Sequence, residues 1–333
     1  MVESQSIKLL QETSKVHFTG EIGNQTTVTE FSLLGYSAVR ELQILHFVVF
    51  LSIYLAALVG NFLLILTVAQ NPSLRSPMYF FLANLSLSDA CYISATVPKS
   101  MTISMTNSNL ISFSGCLIQL FLVVTCAGAE LTFLTVMAYD RYVAICHPLQ
   151  YATVMNWNVC FQMAAASWIS SLINAAIHTA NTFRLYFCTP KIKQFFCDIP
   201  QLLIMSCTDA TTSVVVLLVE TIVICSFCFF YILTSYGFIF CTVFKIQSAQ
   251  ARSKAFSTCI PHLAVFCLFL FTGVFSYLRP RSLSTPLVDP VAAVLYTILP
   301  PLLNPIIYSL RNKEIQAAMQ KMSKNLFRFH LIM

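Results

Sequence analysis

ILHFVVFLSIYLAALVGNFLLILTVA, running from Ile44 to Ala69, contains no Asp, Glu, Lys or Arg. A helix rises about 1.5 Å per residue, so about 20 apolar residues cross the roughly 30 Å of hydrocarbon in a bilayer. This stretch exceeds that length, and it does not alternate apolar with polar side chains as a barrel strand would. It reads as a membrane-spanning helix. Working outward, six further charge-poor intervals have similar length: Met78 to Val97, Cys116 to Tyr139, Cys160 to His178, Ser213 to Phe240, Phe256 to Leu278 and Val291 to Leu310. Between Tyr142 and Phe183 no charged residue marks where loop gives way to helix, and the polar HPLQYATVMNWN with its turn-making Pro148 supplies that boundary.

The composition agrees. Of 333 residues, 57% are hydrophobic and 10% are charged, against roughly 45–50% and 25% in a soluble domain. Mean hydropathy is +0.75. An ordinary soluble enzyme and a disordered chain are both excluded. The net charge of +6 comes from 19 basic residues with no long basic block, so no nucleic-acid partner is expected. No internal repeat or low-complexity run divides the chain. The expected fold is an all-α, seven-transmembrane helix bundle. Its parts are an N-terminal tail over 1–41, a membrane domain over 42–310, and a tail over 311–333.

Lys and Arg set orientation through their excess on the cytoplasmic side. With the N-terminus outside, ten lie inside: Arg75, Arg141, Lys245, Arg252, Lys254, Arg311, Lys313, Lys321, Lys324 and Arg328. Nine lie outside, or seven once the distant Lys8 and Lys15 are set aside. An extracellular N-terminus is therefore expected. Asn24-Gln25-Thr26 is a glycosylation sequon in that tail, whereas Asn84-Leu85-Ser86 falls inside a span and should be silent. The tail lacks the compact apolar core of a signal peptide, which leaves the first span as the expected targeting signal.

Most of the 13 cysteines lie in apolar spans and read as packing residues. Cys116, Cys188, Cys197 and Cys207 face the oxidising side, where four cysteines have three ways of pairing. No metal-ligand pattern accompanies them, and neither metal nor cofactor is expected. Nor is there a nucleophile motif or phosphate loop, so no enzymatic activity is expected.

A carboxyl at a helix centre costs about 2.5–3.5 kcal/mol on the insertion scale and asks for a reason. Asp89 and Glu130 lie mid-span and, with Asn61 and Asn304 at similar depth, can form one polar core. Either a cation or waters bridge it, or protonated carboxyls simply hydrogen-bond. Glu220 lies nearer the outer third of the fifth span, where it either snorkels or meets a ligand. At the inner end of the third span, Asp140-Arg141-Tyr142 pairs an acid with an arginine that a helix movement can release. Asn304-Pro305-Ile306-Ile307-Tyr308 weakens the last span locally, because proline frees backbone groups. Together these suggest a switching bundle.

Longer phrases carry a family resemblance across nearly the whole chain. They are Pro77-Met-Tyr-Phe-Phe-Leu82 with Leu85-Ser-Leu-Ser-Asp89, MAYDRYVAICHPLQY from Met137 to Tyr151, Ser235-Tyr236, Lys254-Ala-Phe-Ser-Thr-Cys259 with His262-Leu263, and PPLLNPIIYSLRNKE from Pro300 to Glu314. The sequence resembles the tetrapod-type (class II) olfactory receptors within the rhodopsin-like G-protein-coupled receptors. The resemblance implies a plasma-membrane receptor for small volatile odorants that activates a stimulatory, olfactory-type heterotrimeric G protein and raises cyclic AMP. It implies disulfides Cys116–Cys197 and Cys188–Cys207, and a coupling switch of Asp140, Arg141, Tyr142, Tyr236, Asn304, Pro305 and Tyr308. It places Asn61, Asp89 and Glu130 in the helix core. It also implies a ligand pocket in the outer half of the bundle at Val123, Val124, Ala127, Gly128, Glu220, Ile224, Thr272, Phe275, Ser276, Arg279 and Thr297.

Two positions depart from the family pattern. Phe271-Thr272-Gly273 replaces the usual Phe-Tyr-Gly, and Cys228 stands where proline is common, which weakens the expected kink. The basic, mildly amphipathic tail after Leu310 fits a short helix along the inner leaflet and contains no cysteine for palmitoylation. The rival reading is an ion- or proton-coupled transporter that uses Asp89, Glu130 and Glu220.

Overall fold

The structure, a computed structural model, describes residues 28–35, 39–106, 108–207, 211–277 and 288–330, without the side chains of 211–214, 216, 277, 289–290 and 322–330. Seven helices are long and apolar enough to cross a membrane. They belong to α1 (Arg40–Gln70), α2 (Pro77–Thr106), α3 (Phe113–Cys146), α4 (Trp157–Phe183), α5 (Thr211–Lys245), α6 (Ala249–Tyr277) and α7 (Val288–Arg311), and α8 (Lys313–His330) follows. Each starts and stops where local chemistry allows. Ser112 Oγ caps α3 by accepting from Gly115 N–H (3.1 Å), and Asn156 Oδ1 caps α4 by accepting from Val159 N–H (3.1 Å). The uncertain loop before α4 resolves into a 3-10 turn over Pro148–Gln150 and a one-turn helix over Tyr151–Val154.

Several helices outrun their charge-poor segments. Beyond Val97, α2 continues through Pro98 and Lys99, and the Lys99 ammonium reaches past the helix to donate to Leu110 O (2.6 Å). Likewise α3 runs past Tyr139 to Cys146, with Asp140 buried and bonded by Tyr151. α1 begins at Arg40, and part of the 1–41 tail is built into the fold as β1 (Glu30–Ser32), which pairs antiparallel with β2 (Leu110–Ser112), Phe31 opposite Ile111.

In the bundle, α3 contacts α2, α4, α5 and α6, while α7 contacts α1, α2 and α6. α2, α3 and α7 are the most enclosed, whereas α1 and α5 turn large apolar side chains such as Val48, Leu55, Phe227 and Phe244 outward. That distribution suits lipid, which rewards apolar surface outside as well as inside.

One end is closed by a small sheet and two disulfides. Phe31 is wholly buried, edge-on to Phe187 with ring centres 5.3 Å apart and stacked on Phe113 at 6.1 Å. Backbone bonds join Ser32 N–H to Pro190 O (2.7 Å), Leu34 N–H to Gln194 O (2.8 Å) and Ile192 N–H to Ser32 O (2.8 Å), lacing β1 to the loop after α4. Cys116–Cys197 ties that loop to the first turn of α3, and Cys188–Cys207 closes it on itself. At the opposite end, Asn312 Oδ1 caps α8 by accepting from Glu314 N–H (3.0 Å) and Ile315 N–H (3.3 Å), and Tyr79 of α2 donates to Glu314 Oε2 (2.7 Å).

Candidate functional site

Pro305 has no N–H, so the carbonyl four residues earlier, on Pro301, loses its helical donor. Asn61 of α1 supplies one: its Nδ2 donates to Pro301 O (2.8 Å) and to Ala57 O of its own helix (3.0 Å). The neighbouring Gly60 permits this approach, since a Cβ there would lie 3.1 Å from Pro305 Cγ. One turn from that junction, the Asn304 amide joins the two core acids. Its Nδ2 donates to Asp89 Oδ2 and to Glu130 Oε1, both at 3.0 Å. Asp89, Glu130 and Asn304 are all at most 3% exposed, so α2, α3 and α7 meet at one amide.

Towards the end opposite the disulfides, Arg141 Nη2 lies 3.2 Å from Asp140 Oδ2. Tyr151, in the one-turn helix, donates to Asp140 Oδ1 (2.7 Å). Burial and the adjacent Asp140 carboxylate push the Tyr151 phenol well above its usual range, so it stays a donor. Tyr142 OH pairs with His147 Nε2 (3.0 Å). Deeper in, His262 of α6 is wedged between two helices. Its Nε2 faces Leu134 O of α3 (2.9 Å), and its Nδ1 faces Tyr236 OH of α5 (2.8 Å). A carbonyl only accepts, so Nε2 carries the hydrogen and Nδ1 accepts from Tyr236. The hydroxyl of Tyr308, 3% exposed, has no hydrogen-bond partner among the described residues.

Towards the disulfide end, Val123 is buried and Ala127 packs with it in a cluster of Tyr92, Cys126, Phe195, Phe196, Ala293 and Tyr296. Phe196 and Tyr296 have ring centres 6.0 Å apart.

The chain matches the family model described as "Olfactory receptor" over residues 50–325. It is 51% identical over 301 residues to Olfactory receptor 14I1 of Homo sapiens, covering 90% of this chain and 96% of that one. It is 48% identical over 304 residues to Olfactory receptor 14A16 of Homo sapiens, covering 91% and 98%. The chain belongs to the olfactory receptor family. A solved structure of squid rhodopsin superposes with a TM-score of 0.66 at 17% identity, covering 90% of this chain and 87% of that one, which shows the shared seven-helix fold. The receptor is a multi-pass plasma-membrane protein of the G-protein-coupled class and not an enzyme.

The residues expected at the receptor's ligand pocket fall in different settings. Val123 and Ala127 share the aromatic cluster, while Val124 packs against a separate cluster that includes Cys116, Leu120 and Leu202. Gly128 faces α4, where a Cβ would meet Ser171 Oγ at 3.3 Å. Glu220, Ile224 and Cys228 follow one another at helical spacing on α5. Cys228 is buried against Thr135 of α3, Ile224 is 37% exposed, and Glu220 is half-buried. Thr272 and Thr297 are buried with their hydroxyls turned back on their own helices, to Leu268 O (2.9 Å) and Ala293 O (2.7 Å). Ser276 is half-buried, and Phe275 stacks on the outward-facing Phe271. Arg279 and Asn24 lie outside the described residues.

Sequence reading passed over Tyr92, Phe195, Phe196 and Tyr296. The adjacent Phe195-Phe196 before Cys197 carried a signal, because an apolar pair in a cystine-bound loop has only the bundle to pack on. It also gave no role to Tyr151 or His262, though both stand within quoted phrases.

Proposed function

We propose that this receptor binds small, mostly apolar volatile ligands within the disulfide-bearing half of the bundle and activates a stimulatory, olfactory-type G protein, raising cyclic AMP. The observation that carries the reading is the paired Asp140–Arg141 with Tyr151 beside it, within a chain that belongs to the olfactory receptors. In this reading the N-terminus and the disulfides are extracellular, Asn24 is glycosylated, and the membrane domain over 42–310 is followed by a cytoplasmic tail whose α8 lies on the inner leaflet. Val123, Ala127 and the aromatic side chains around them supply apolar contact. Val124, Gly128, Ile224, Thr272, Phe275, Ser276, Arg279 and Thr297 border the ligand, and Glu220 orients it. Burial of hydrocarbon supplies most of the affinity. With few ligand atoms and a ceiling near 1.5 kcal/mol per heavy atom, weak affinities follow.

An agonist that favours the active arrangement by about 1.4 kcal/mol shifts the equilibrium tenfold. Arg141 is held by Asp140 at rest and, once released, faces the G protein; Tyr142, Tyr236, Asn304, Pro305 and Tyr308 complete the switch. The test is cyclic AMP in cells expressing the surface-tagged receptor with an olfactory-type stimulatory G protein, screened against a broad odorant panel. Arg141→Ala is expected to abolish the dose-dependent rise at equal surface level. A variant that signals like the parent overturns the assignment of Arg141.

His262 supplies a second prediction. His262→Phe removes the bond to Leu134 O and the one to Tyr236, together about 2 kcal/mol, and so unties α6 from α3 and α5. Basal cyclic AMP per surface receptor should rise at least several-fold. An unchanged baseline means that the latch is equally made in both arrangements.

The transporter reading needs acids that hand an ion along a path. Asp89 and Glu130 are instead held on one amide, and among the described residues no hydrogen bond links Glu220 to them. The receptor reading predicts no ion flux.

A further inference from the structure

The Asn304–Tyr308 stretch of α7 is tied to α2 on both sides. At its beginning the Asn304 amide donates to Asp89 Oδ2 of α2, and to Glu130 Oε1 of α3, both at 3.0 Å. One turn past its other end, Asn312 N–H donates to Tyr308 O (3.1 Å), so Asn312 closes α7 while its side chain caps α8. Asn312 Nδ2 then donates to the hydroxyl of Tyr79 on α2 (3.1 Å), and Tyr79 donates to Glu314 Oε2 (2.7 Å). A phenol has one hydrogen to give. It goes to Glu314 instead of to Asn312 Oδ1, 3.3 Å away, because that oxygen already accepts from Glu314 N–H and Ile315 N–H. Asn312, Tyr79 and Glu314 therefore form one chain of bonds with a fixed direction. Tyr79 and Asn312 are 3% and 6% exposed, so water does not compete for it.

The two ties differ in leverage. Pro305, next to Asn304, lacks a backbone bond and makes this the place where α7 bends most easily. Asn304 sits at the bend, whereas Asn312 lies about 12 Å further along the helix axis. A bend of about 10° at Pro305 moves Asn312 sideways by about 2 Å, which carries it out of hydrogen-bond range of Tyr79. The same bend moves Asn304 very little. The Asn304 tie is a pivot, and the Asn312 tie is a latch at the end of the lever. Ile315 and Ala318 hold α8 on the bundle by apolar contact, so opening the latch frees the corner without detaching the helix.

We infer that Tyr79 is a positioning residue for G-protein coupling: it holds the α7–α8 corner on α2 in the resting arrangement, and its bond to Asn312 opens when α7 swings. This rests on the coupling reading above, in which the Asn304–Tyr308 stretch belongs to the switch, and adds to it a residue on a different helix.

The experiment uses purified full-length receptor in lipid nanodiscs with the olfactory-type stimulatory G protein and no odorant. Nucleotide exchange per receptor, backbone hydrogen exchange and melting temperature are read on the parent and four variants. Tyr79→Phe deletes only the hydroxyl. It should raise nucleotide exchange about threefold or more, the shift expected when a net hydrogen bond is removed from the resting arrangement alone, with faster hydrogen exchange over Asn312 to Gln316. Glu314→Ala should do the same, and Tyr79→Phe with Glu314→Ala should add little to either, because both cut one chain. Glu314→Gln still offers Tyr79 an oxygen and should stay close to the parent. A purely structural role gives the opposite sign, a lower melting temperature with nucleotide exchange per receptor unchanged or reduced. That result overturns the inference, as does a Tyr79→Phe receptor identical to the parent; in both cases exchange that is lost in Arg141→Ala leaves the coupling reading intact. No exchange in the parent or in any variant counts against both.

Discussion

A receptor with Cys116 replaced by Ser is expected to lose most of its surface expression. The bond to Cys197 closes a loop of 81 residues, and in the chain-entropy model such a closure contributes about 4–5 kcal/mol. Folded proteins are typically stable by about 5–15 kcal/mol, so the loss takes a large share. The structure adds a local consequence. Cys197 N–H donates to Gln119 Oε1 (2.9 Å), and Gln119 Nε2 donates to Ala95 O of α2 (2.9 Å), so the cystine also locates a link between α2, α3 and the loop. Cys188→Ser opens a closure of only 19 residues, worth about 3 kcal/mol in the same model, and should be the milder lesion. Surface labelling of the tagged receptor ranks the two. Equal expression of both variants and the parent would refute the ranking and the role assigned to the first bridge.

Asn304→Leu is the second large effect. It removes the amide that donates to both Asp89 and Glu130 and leaves two buried carboxyls without that donor. Leaving a buried polar group unsatisfied costs about 1–3 kcal/mol, more for a charged one, and α7 loses the one amide that bonds it to the acids of both α2 and α3. Purified receptor should melt far below the parent, and surface expression should fall with it. A compensating change separates this from a mere packing defect. Glu130→Gln in the Asn304→Leu background restores an N–H facing Asp89 and should recover part of the stability, whereas Glu130→Gln alone gains nothing comparable. If the double variant is no better than Asn304→Leu alone, the network has been misread.

Much of this architecture was legible before any coordinates. The seven spans, the core acids, the Asp140–Arg141 pair and the Asn304–Tyr308 stretch all stand out because a charged group or proline in an apolar helix is costly enough to show. What these residues touch was not legible. Asn61 appeared as a polar residue at core depth, and only the folded chain shows that it serves the carbonyl Pro305 leaves open on another helix. His262 and Tyr151 sat inside quoted phrases without roles, because their partners lie on other segments. β1 was hidden for the same reason: three residues, Glu30 to Ser32, become a strand only by pairing with Leu110 to Ser112.

By itself, the sequence determined how many times this chain crosses the membrane, roughly where, and to which family it is similar. Crossing is a local matter of length and apolarity, and motifs are local strings. The tertiary structure decided which face of each helix turns inward, and with it the neighbours of Glu220, Gly128 and Thr272. The reason lies in the solvent. In water an apolar stripe points to the core, but lipid is as apolar as the interior, so Phe227 outside and Phe133 inside look alike in a string of letters.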